Sequence, residues 1–87
     1  MGLPRYFGAV KNPAAVAAFG EHLRVLRKGR RLSQQQLADE ADLSRPTVQR
    51  IETAHMAATL DVLVSLAQAL RLPLRELLDF PGGEVSD

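Results

Sequence analysis

Three long hydrogen-bonding side chains lie close together in the segment RPTVQR, at Arg45, Gln49 and Arg50. If the segment is helical, a spacing of four residues and then one places them on one side of the helix or at its edge. An arginine can bond two acceptors on a guanine, and a glutamine can pair with an adenine. Thr47 and the ring of Pro46 can contact the methyl group of a thymine. These residue types in this pattern indicate recognition of base edges.

The residue types give little support for a metal site, a catalytic nucleophile or a phosphate-binding loop. His22 and His55 are the only histidines, they fall on different predicted elements, and the chain has no cysteine to join them, so a metal site is not expected. No spacing of serine, histidine and aspartate suggests a nucleophile, and no glycine-rich phosphate loop occurs. We therefore expect no enzyme, no cofactor and no metal. The lack of cysteine is also compatible with a reducing cytoplasm.

Charge is distributed unevenly along the 87 residues, although the net charge is only +1. Residues 1–50 contain nine Lys and Arg against four Asp and Glu, whereas residues 51–87 contain two against six. Five cations lie within eight positions: Arg24, Arg27, Lys28, Arg30 and Arg31. Such a cluster is typical of a surface that meets a polyanion. It is equally typical of a solvated helix end, where cations are favourable, and taken alone it leaves both interpretations open.

A first helix is predicted after an arm of residues 1–12. Asn12 is the predicted N-cap, Pro13 the first helical residue, and Gly29 the residue that ends the helix. The apolar stripe recurs at helical spacing and consists of Val16, Phe19, Leu23 and Leu26. Three cations of the basic cluster are predicted to fall off this stripe or at its margin: Arg24, Arg27 and Lys28.

Two short helices with a tight connection are predicted next. Ser33 and Gln36 match a capping box at the start of the second helix. Ser44 caps the third helix, residues 44–52, where a proline in the first turn lacks only a donor that would be unpaired anyway. The predicted turn is Asp42-Leu43, and the predicted buried positions are Leu37, Ala38, Ala41, Val48 and Ile51.

Two further helices are predicted in the last third of the chain. Thr59 caps the fourth, with Asp61 in its first turn, and Pro73 opens a short fifth. The stripe of the fourth helix is Leu63, Leu66, Ala67 and Leu70. The apolar side chains Leu70, Leu72, Leu74, Leu77, Leu78 and Phe80 can either close the core of the monomer or form a dimer surface. The expected fold is therefore all-α, with five short helices in residues 13–80 and a C-terminal tail of residues 81–87.

The second and third helices have the geometry of a helix-turn-helix, whose second helix can enter the major groove of DNA. The stretch "LSQQQLADEADLSRPTVQRIE" resembles the helix-turn-helix of the lambda-repressor/Cro-type family, also called the xenobiotic-response-element (XRE) family of bacterial regulators. "FGEHLRVLRKGRRLS" and "ATLDVLVSLAQALRLPLRELL" resemble the helices on either side. The resemblance covers about residues 16–80 and implies a compact, lambda-repressor-like DNA-binding fold.

The resemblance also implies roles for individual residues. Gln34 corresponds to a glutamine that bonds a phosphate and braces the recognition helix, and Glu52 to a structural acidic residue. The positions implied to face DNA are Ser44, Arg45, Pro46, Thr47, Gln49 and Arg50. The family often has glycine where Asp42 stands and near Ala54, because the backbone there favours a left-handed conformation; aspartate tolerates it at some cost. Taken singly, Arg45 and Arg50 are also compatible with ordinary surface charges, and Arg50 with an ion pair to Glu52.

The function expected is a bacterial, cytoplasmic, nucleoid-associated transcription regulator, a repressor or autoregulator that binds a double-stranded DNA operator. A homodimer would read half-sites about 34 Å apart. Three settings stay open: a general repressor, a controller of a restriction–modification system, and an antitoxin that also binds a toxin. Polymerase is a further possible partner; a membrane is not. The alternative from another class is a protein-interaction module that keeps this fold. The arm, through Arg5, Tyr6 and Lys11, can reach DNA, or it can pack on a neighbouring chain.

Overall fold

The computed structural model describes residues 10–82, and that range contains helices but no strand. Five helices follow one another: α1 Pro13–Gly29, α2 Gln34–Ala41, α3 Arg45–Glu52, α4 Leu60–Leu70 and α5 Leu74–Leu77. The all-α fold class is therefore confirmed. Residues 1–9 and 83–87 lie outside the described range, and with them most of the predicted arm and tail.

Serine and threonine caps fix where α2, α3 and α4 begin. At α2 the amide of Gln36 donates to Ser33 Oγ at 3.0 Å, and the amide of Ser33 donates to the Gln36 side chain at 2.8 Å. These two bonds are the predicted capping box. Ser44 and Thr59 accept from the third residue after each, as predicted. Asn12 stands at the N-cap of α1, but its side chain makes no capping hydrogen bond.

Residues with left-handed backbone angles follow α1, α2, α3 and α4, and none of them is glycine. They are Arg31, Asp42, Ala54 and Arg71, with φ of 57° to 63°. The left-handed turn expected at Asp42 is confirmed, and Ala54 keeps the same conformation without the glycine typical of the family. The prediction that Gly29 ends α1 is confirmed, but Gly29 does not have left-handed angles. Gly29 is the last helical residue, and the reversal comes at Arg31, whose amide donates to the Lys28 carbonyl at 2.9 Å.

The core is aliphatic and includes every buried position predicted on α2 and α3. Buried apolar side chains are Phe19, Leu23, Leu37, Ala38, Ala41, Val48, Ile51, Leu66, Ala67, Leu70 and Leu77. The helix α1 packs on α3, α2 packs on both α3 and α4, and α5 packs on α4. Of the leucine-rich C-terminal set, Leu70 and Leu77 are fully buried within the monomer, whereas Leu78 remains exposed. Closing the monomer core therefore occupies part of the surface that was a candidate for dimerisation.

The ring of Phe80 attaches the C-terminal end of this region to α1. It meets the ring of Phe19 edge-on, with centroids 5.7 Å apart, a favourable arrangement for two aromatic rings. Of the helices in residues 10–82, none combines the length and the apolarity that crossing a bilayer requires.

Candidate nucleic-acid interface

The helix α3 has one face in the core and one in solvent. Val48 and Ile51 are buried against the other helices. At 100° per residue, the exposed residues fall within an arc of about 140° on the other side. This exposed arc consists of Arg45, Pro46, Gln49 and Arg50. The packing thus brings four of the predicted DNA-facing residues together on one surface.

The side chains of Arg45, Gln49 and Arg50 make no hydrogen bond or ion pair with other residues in the range 10–82. Long polar side chains that the rest of the domain does not engage keep all their donors for another molecule. Ser44 and Thr47 differ, because their hydroxyls lie 2.8 Å apart and Ser44 also caps α3. Ser44 is exposed and Thr47 half-buried, both at the start of the helix.

The opposite end of α3 is held by a buried ion pair. Arg27 donates from Nε to Glu52 Oε2 at 2.7 Å and from Nη2 to Oε1 at 2.9 Å. The two side chains are 9% and 2% exposed. This two-point geometry is the strongest form of an arginine–carboxylate contact. It joins α1 to the last residue of α3.

Gln34 and Leu32 complete the cluster around the ion pair. Gln34 donates from Nε2 to Glu52 Oε1 at 3.1 Å. The remaining nitrogen of the guanidinium, Arg27 Nη1, donates to the Leu32 carbonyl at 2.8 Å. Through these bonds the start of α2 is connected to the end of α3. Gln34 thus contacts the last residue of α3, whereas its implied phosphate contact stays a prediction.

The sequence interpretation of Arg27 is wrong. Arg27 was placed beside the apolar stripe with the other cations, but it is buried and neutralised by Glu52. Two signals point to this arrangement: Arg27 follows Leu23 by four residues, and Glu52 follows Val48 by four, so each charge continues an apolar face. An ion pair between Arg50 and Glu52 does not form, because Glu52 is engaged by Arg27 and Gln34.

Electrostatics keep Arg27 charged. The hydrogen bonds that Arg27 donates to Glu52, reinforced by the negative charge of the carboxylate, raise the pKa of the Arg27 guanidinium above its ordinary value, although burial acts in the opposite direction. A raised pKa on a cation contributes stability that is lost only as pH rises through the folded-state value. Because that value lies in the strongly alkaline range, the arginine side of the pair does not titrate near neutral pH.

The rest of the basic cluster is divided among different contacts. Arg30 donates from Nε to the Leu70 carbonyl at 2.6 Å, at the end of α4. Arg24 lies 3.5 Å from Glu21 in an exposed pair. Lys28 and Arg31 are exposed. The cluster is therefore not a uniform surface for a polyanion, since two of its five members bind groups within the domain across long sequence distances.

Gly20 allows α1 to lie directly against the end of α3. A Cβ atom built at Gly20 would lie 2.3 Å from the Ile51 carbonyl oxygen and 3.0 Å from that of Glu52. Both atoms belong to the backbone, so no side chain can rotate out of the way. Sequence analysis did not single out this residue; the signal is a glycine within a helix, where it is unfavourable unless packing requires it.

The two histidines lie on different elements, as predicted. His55 is exposed and its Nδ1 atom lies 2.8 Å from the hydroxyl of Thr53. His22 tilts over Phe80, with ring centroids 6.0 Å apart. Among residues 10–82 there is no group of three or more histidine, cysteine, aspartate or glutamate side chains placed to hold a metal ion.

Comparison with known proteins adds independent findings. The protein family described as helix-turn-helix matches residues 23–77. The restriction-modification controller protein C.AhdI from Aeromonas hydrophila is 38% identical, with a TM-score of 0.72 over 74% of this chain and 97% of that chain. The clp gene regulator ClgR from Corynebacterium glutamicum is 22% identical, with a TM-score of 0.69 over 74% and 83% of the chains, a likeness of fold alone. A search of curated proteins found no match.

Proposed function

The chain belongs to the XRE-type helix-turn-helix family of DNA-binding transcription regulators, as its sequence resemblance implied, and we propose that it recognises a double-stranded operator by inserting α3 into the major groove. The observation that carries this proposal is the exposed arc of α3. Its arginine and glutamine side chains have no partner among the described residues, while the other face of the helix is fixed in the core. A rigid helix with free paired donors suits the readout of base edges.

In this proposal the residues divide into two roles. Arg45, Gln49 and Arg50 contact base edges, with Pro46 and Thr47 offering apolar contact to a thymine methyl. Gln34 and Ser44, at the N-termini of α2 and α3, contact phosphates and set the position of α3. The protein would then act at the nucleoid in the cytoplasm of a bacterium, where its concentration sets how much of the operator is occupied.

Base readout predicts that Gln49→Ala or Arg45→Ala weakens binding to the preferred operator by about 1–3 kcal/mol and relaxes sequence preference. The operator is first obtained by selecting bound duplexes from a random pool. Fluorescence anisotropy then gives affinities for the operator and for a scrambled duplex between 50 and 200 mM salt. Affinity for both is expected to fall steeply with salt, as counterions are no longer released favourably.

Two further variants separate readout from general effects. Gln34→Ala is expected to weaken the operator and the scrambled duplex evenly, because a phosphate contact carries no sequence information. Arg75→Ala removes an exposed arginine on α5, outside the helix-turn-helix, and should leave both affinities unchanged. If folded Arg45→Ala and Gln49→Ala proteins bind every duplex as the parent does, the proposal fails and a protein-interaction module becomes the better account.

Among the three settings left open by the sequence, we favour a controller of a restriction–modification system. The support is the 38% identity to the restriction-modification controller protein C.AhdI, over 97% of that chain. A repressor or autoregulator of its own operon is compatible with this setting. Recovery of the selected operator upstream of genes for a methyltransferase and an endonuclease would support it, and recovery beside a toxin gene would favour the antitoxin instead.

We also propose that the operator-binding form is a homodimer joined through exposed apolar residues of α4 and α5. Leu60 is 68% exposed, and Val64, four residues later, lies on the same side of α4. Leu78 is exposed at the end of α5, which packs on α4. The variant Leu60→Ser/Val64→Ser is expected to raise the dimer dissociation constant at least about 30-fold, the effect of losing an apolar hot spot. Sedimentation equilibrium measures this change.

Val25→Ser provides a matched control for the dimer proposal. Val25 is 56% exposed but lies on α1, not on the two helices of the proposed dimer surface. It should leave the association unchanged. A protein that sediments as a monomer at micromolar concentration, or a Leu60→Ser/Val64→Ser variant that dimerises normally, would contradict this surface as the interface.

A further inference from the structure

His55 forms a defined hydrogen-bonded group with the end of α3. The Thr53 hydroxyl donates to the Gln49 carbonyl at 2.8 Å, and the same oxygen lies 2.8 Å from His55 Nδ1. The amide of His55 donates to the Arg50 carbonyl, also at 2.8 Å. The imidazole of an exposed residue is thus held at a fixed place, one turn beyond the proposed base-reading residues.

The position of the Thr53 hydroxyl proton decides which ring nitrogen of the neutral His55 carries a hydrogen. The Thr53 hydroxyl has one proton, and we assign it to the Gln49 oxygen, which cannot itself donate. With this assignment the threonine oxygen accepts from His55, so the neutral ring carries its proton on Nδ1. In the neutral ring, Nε2 is left as an acceptor with a lone pair. Only the protonated ring carries a donor on Nε2.

The end of α3 lies where a groove-bound helix meets the phosphate backbone. Eight residues make α3 about 12 Å long, which is about the width of the major groove. Thr53 follows Gln49 by four residues and so continues the exposed side of α3. A helix that seats Arg45 and Gln49 in the groove therefore brings the group of Thr53 and His55 towards the wall of phosphates.

We propose that His55 is a DNA phosphate contact that operates only when its imidazole is protonated, so that operator affinity rises as pH falls from 8 to 6. This inference rests on the proposed function. The neutral ring presents the Nε2 lone pair to an anionic oxygen and repels it. The imidazolium donates from Nε2 and adds a positive charge. Histidine is the side chain whose ordinary charge change falls in this pH interval.

No charged residue in the range 10–82 forms an ion pair with the His55 ring, so the ring is available to a phosphate. Glu52 is buried and already bound by Arg27 and Gln34, so it does not neutralise the ring. Arg50, whose carbonyl accepts from the His55 amide, is exposed. Among residues 10–82 His55 takes part in no ion pair, and Asp61 is the next charged residue along the chain. A bound phosphate stabilises the imidazolium, so DNA binding and proton uptake are linked.

The test measures operator affinity of the full-length protein at pH 6 and pH 8 for the parent, His55→Gln, His55→Arg and His22→Gln. The chain has only two histidines, so His22→Gln controls for the other one. The parent is expected to bind about threefold to fivefold more tightly at pH 6, the range of an exposed charge pair. Its salt dependence should also steepen by about 0.9 in the log–log slope for each protonated contact.

If the inference is correct, the variants His55→Gln and His22→Gln give opposite results. His55→Gln loses both the pH dependence and the change in salt slope, His22→Gln keeps them, and His55→Arg binds tightly at both pH values. Circular dichroism at both pH values verifies that each variant is folded. Tight, pH-independent binding by the parent, or pH dependence retained in His55→Gln, overturns the role of His55 while leaving operator recognition intact. A parent that binds no duplex at either pH overturns both proposals.

Discussion

Replacement of Glu52 by alanine is expected to lower the free energy of unfolding by about 3–5 kcal/mol. The change leaves the Arg27 guanidinium buried without a counter-ion, and it also removes the acceptor that Gln34 uses. A charge stranded in this way is far more costly than the loss of an exposed contact. The total free energy of unfolding of a small domain is only about 5–15 kcal/mol. Urea denaturation followed by circular dichroism should show a markedly lower midpoint.

Two comparisons identify the cause. Glu21→Ala removes an acid from the exposed pair with Arg24, whose side chains are 63% and 45% exposed, and it should cost at most about 0.5 kcal/mol. Arg27→Met/Glu52→Leu replaces both buried charges by apolar groups and should recover most of the loss, because no uncompensated charge remains. A Glu52→Ala protein about as stable as Glu21→Ala would show that water reaches the pair and screens it.

The buried side of α3 stabilises the fold, whereas the exposed side is not needed for it. Glu52 and Val48 hold the inner side through charge and packing, and this leaves Arg45 and Gln49 no role in the fold. The double variant Arg27→Met/Glu52→Leu therefore separates the two contributions. It retains the exposed arc but removes the hydrogen bond that Gln34 donates to Glu52. Stability and DNA affinity therefore need not change together.

Features that depend on residues close in sequence were predictable. The caps at Ser33, Ser44 and Thr59 each involve a bond to the third residue after the cap. The apolar periodicity of α2 and α3 predicted their buried positions, and hence the exposed arc. The left-handed turn at Asp42 was implied by the family resemblance, because glycine is frequent at that position in the family. In each case the relevant energy is set within one or two helical turns.

Features that depend on how the helices pack were not predictable to the same degree. Arg27 and Glu52 are 25 residues apart, and each alone has the pattern of a surface charge. Only the packing of α1 on α3 shows that both side chains lie between the helices. The same holds for Arg30, which reaches the carbonyl of Leu70 across 40 residues. Periodicity identifies which face of a helix is apolar, but not which charged residue that face encloses.

Gly20→Ala is expected to destabilise the domain by about 3 kcal/mol, the upper part of the range for overpacking. The added methyl carbon would lie 2.3 Å from the Ile51 carbonyl oxygen. Because the obstacle is backbone, α1 and the end of α3 must separate, which also stretches the bonds between Arg27 and Glu52. The expected results are a lower denaturation midpoint and weaker operator binding, although Gly20 lies in the core and not on the exposed arc.

Gly29→Ala is the matched comparison, since it makes the same substitution in the same helix. A Cβ at Gly29 meets no atom within 4 Å, and its backbone angles are helical. Alanine in a helix is favoured over glycine by about 0.5–1 kcal/mol, so Gly29→Ala should stabilise the domain slightly and leave operator affinity unchanged. Opposite signs for the two variants are the signature of a close helix contact at Gly20. Equal, small effects would mean that α1 does not lie against the end of α3 as closely as 2.3 Å implies.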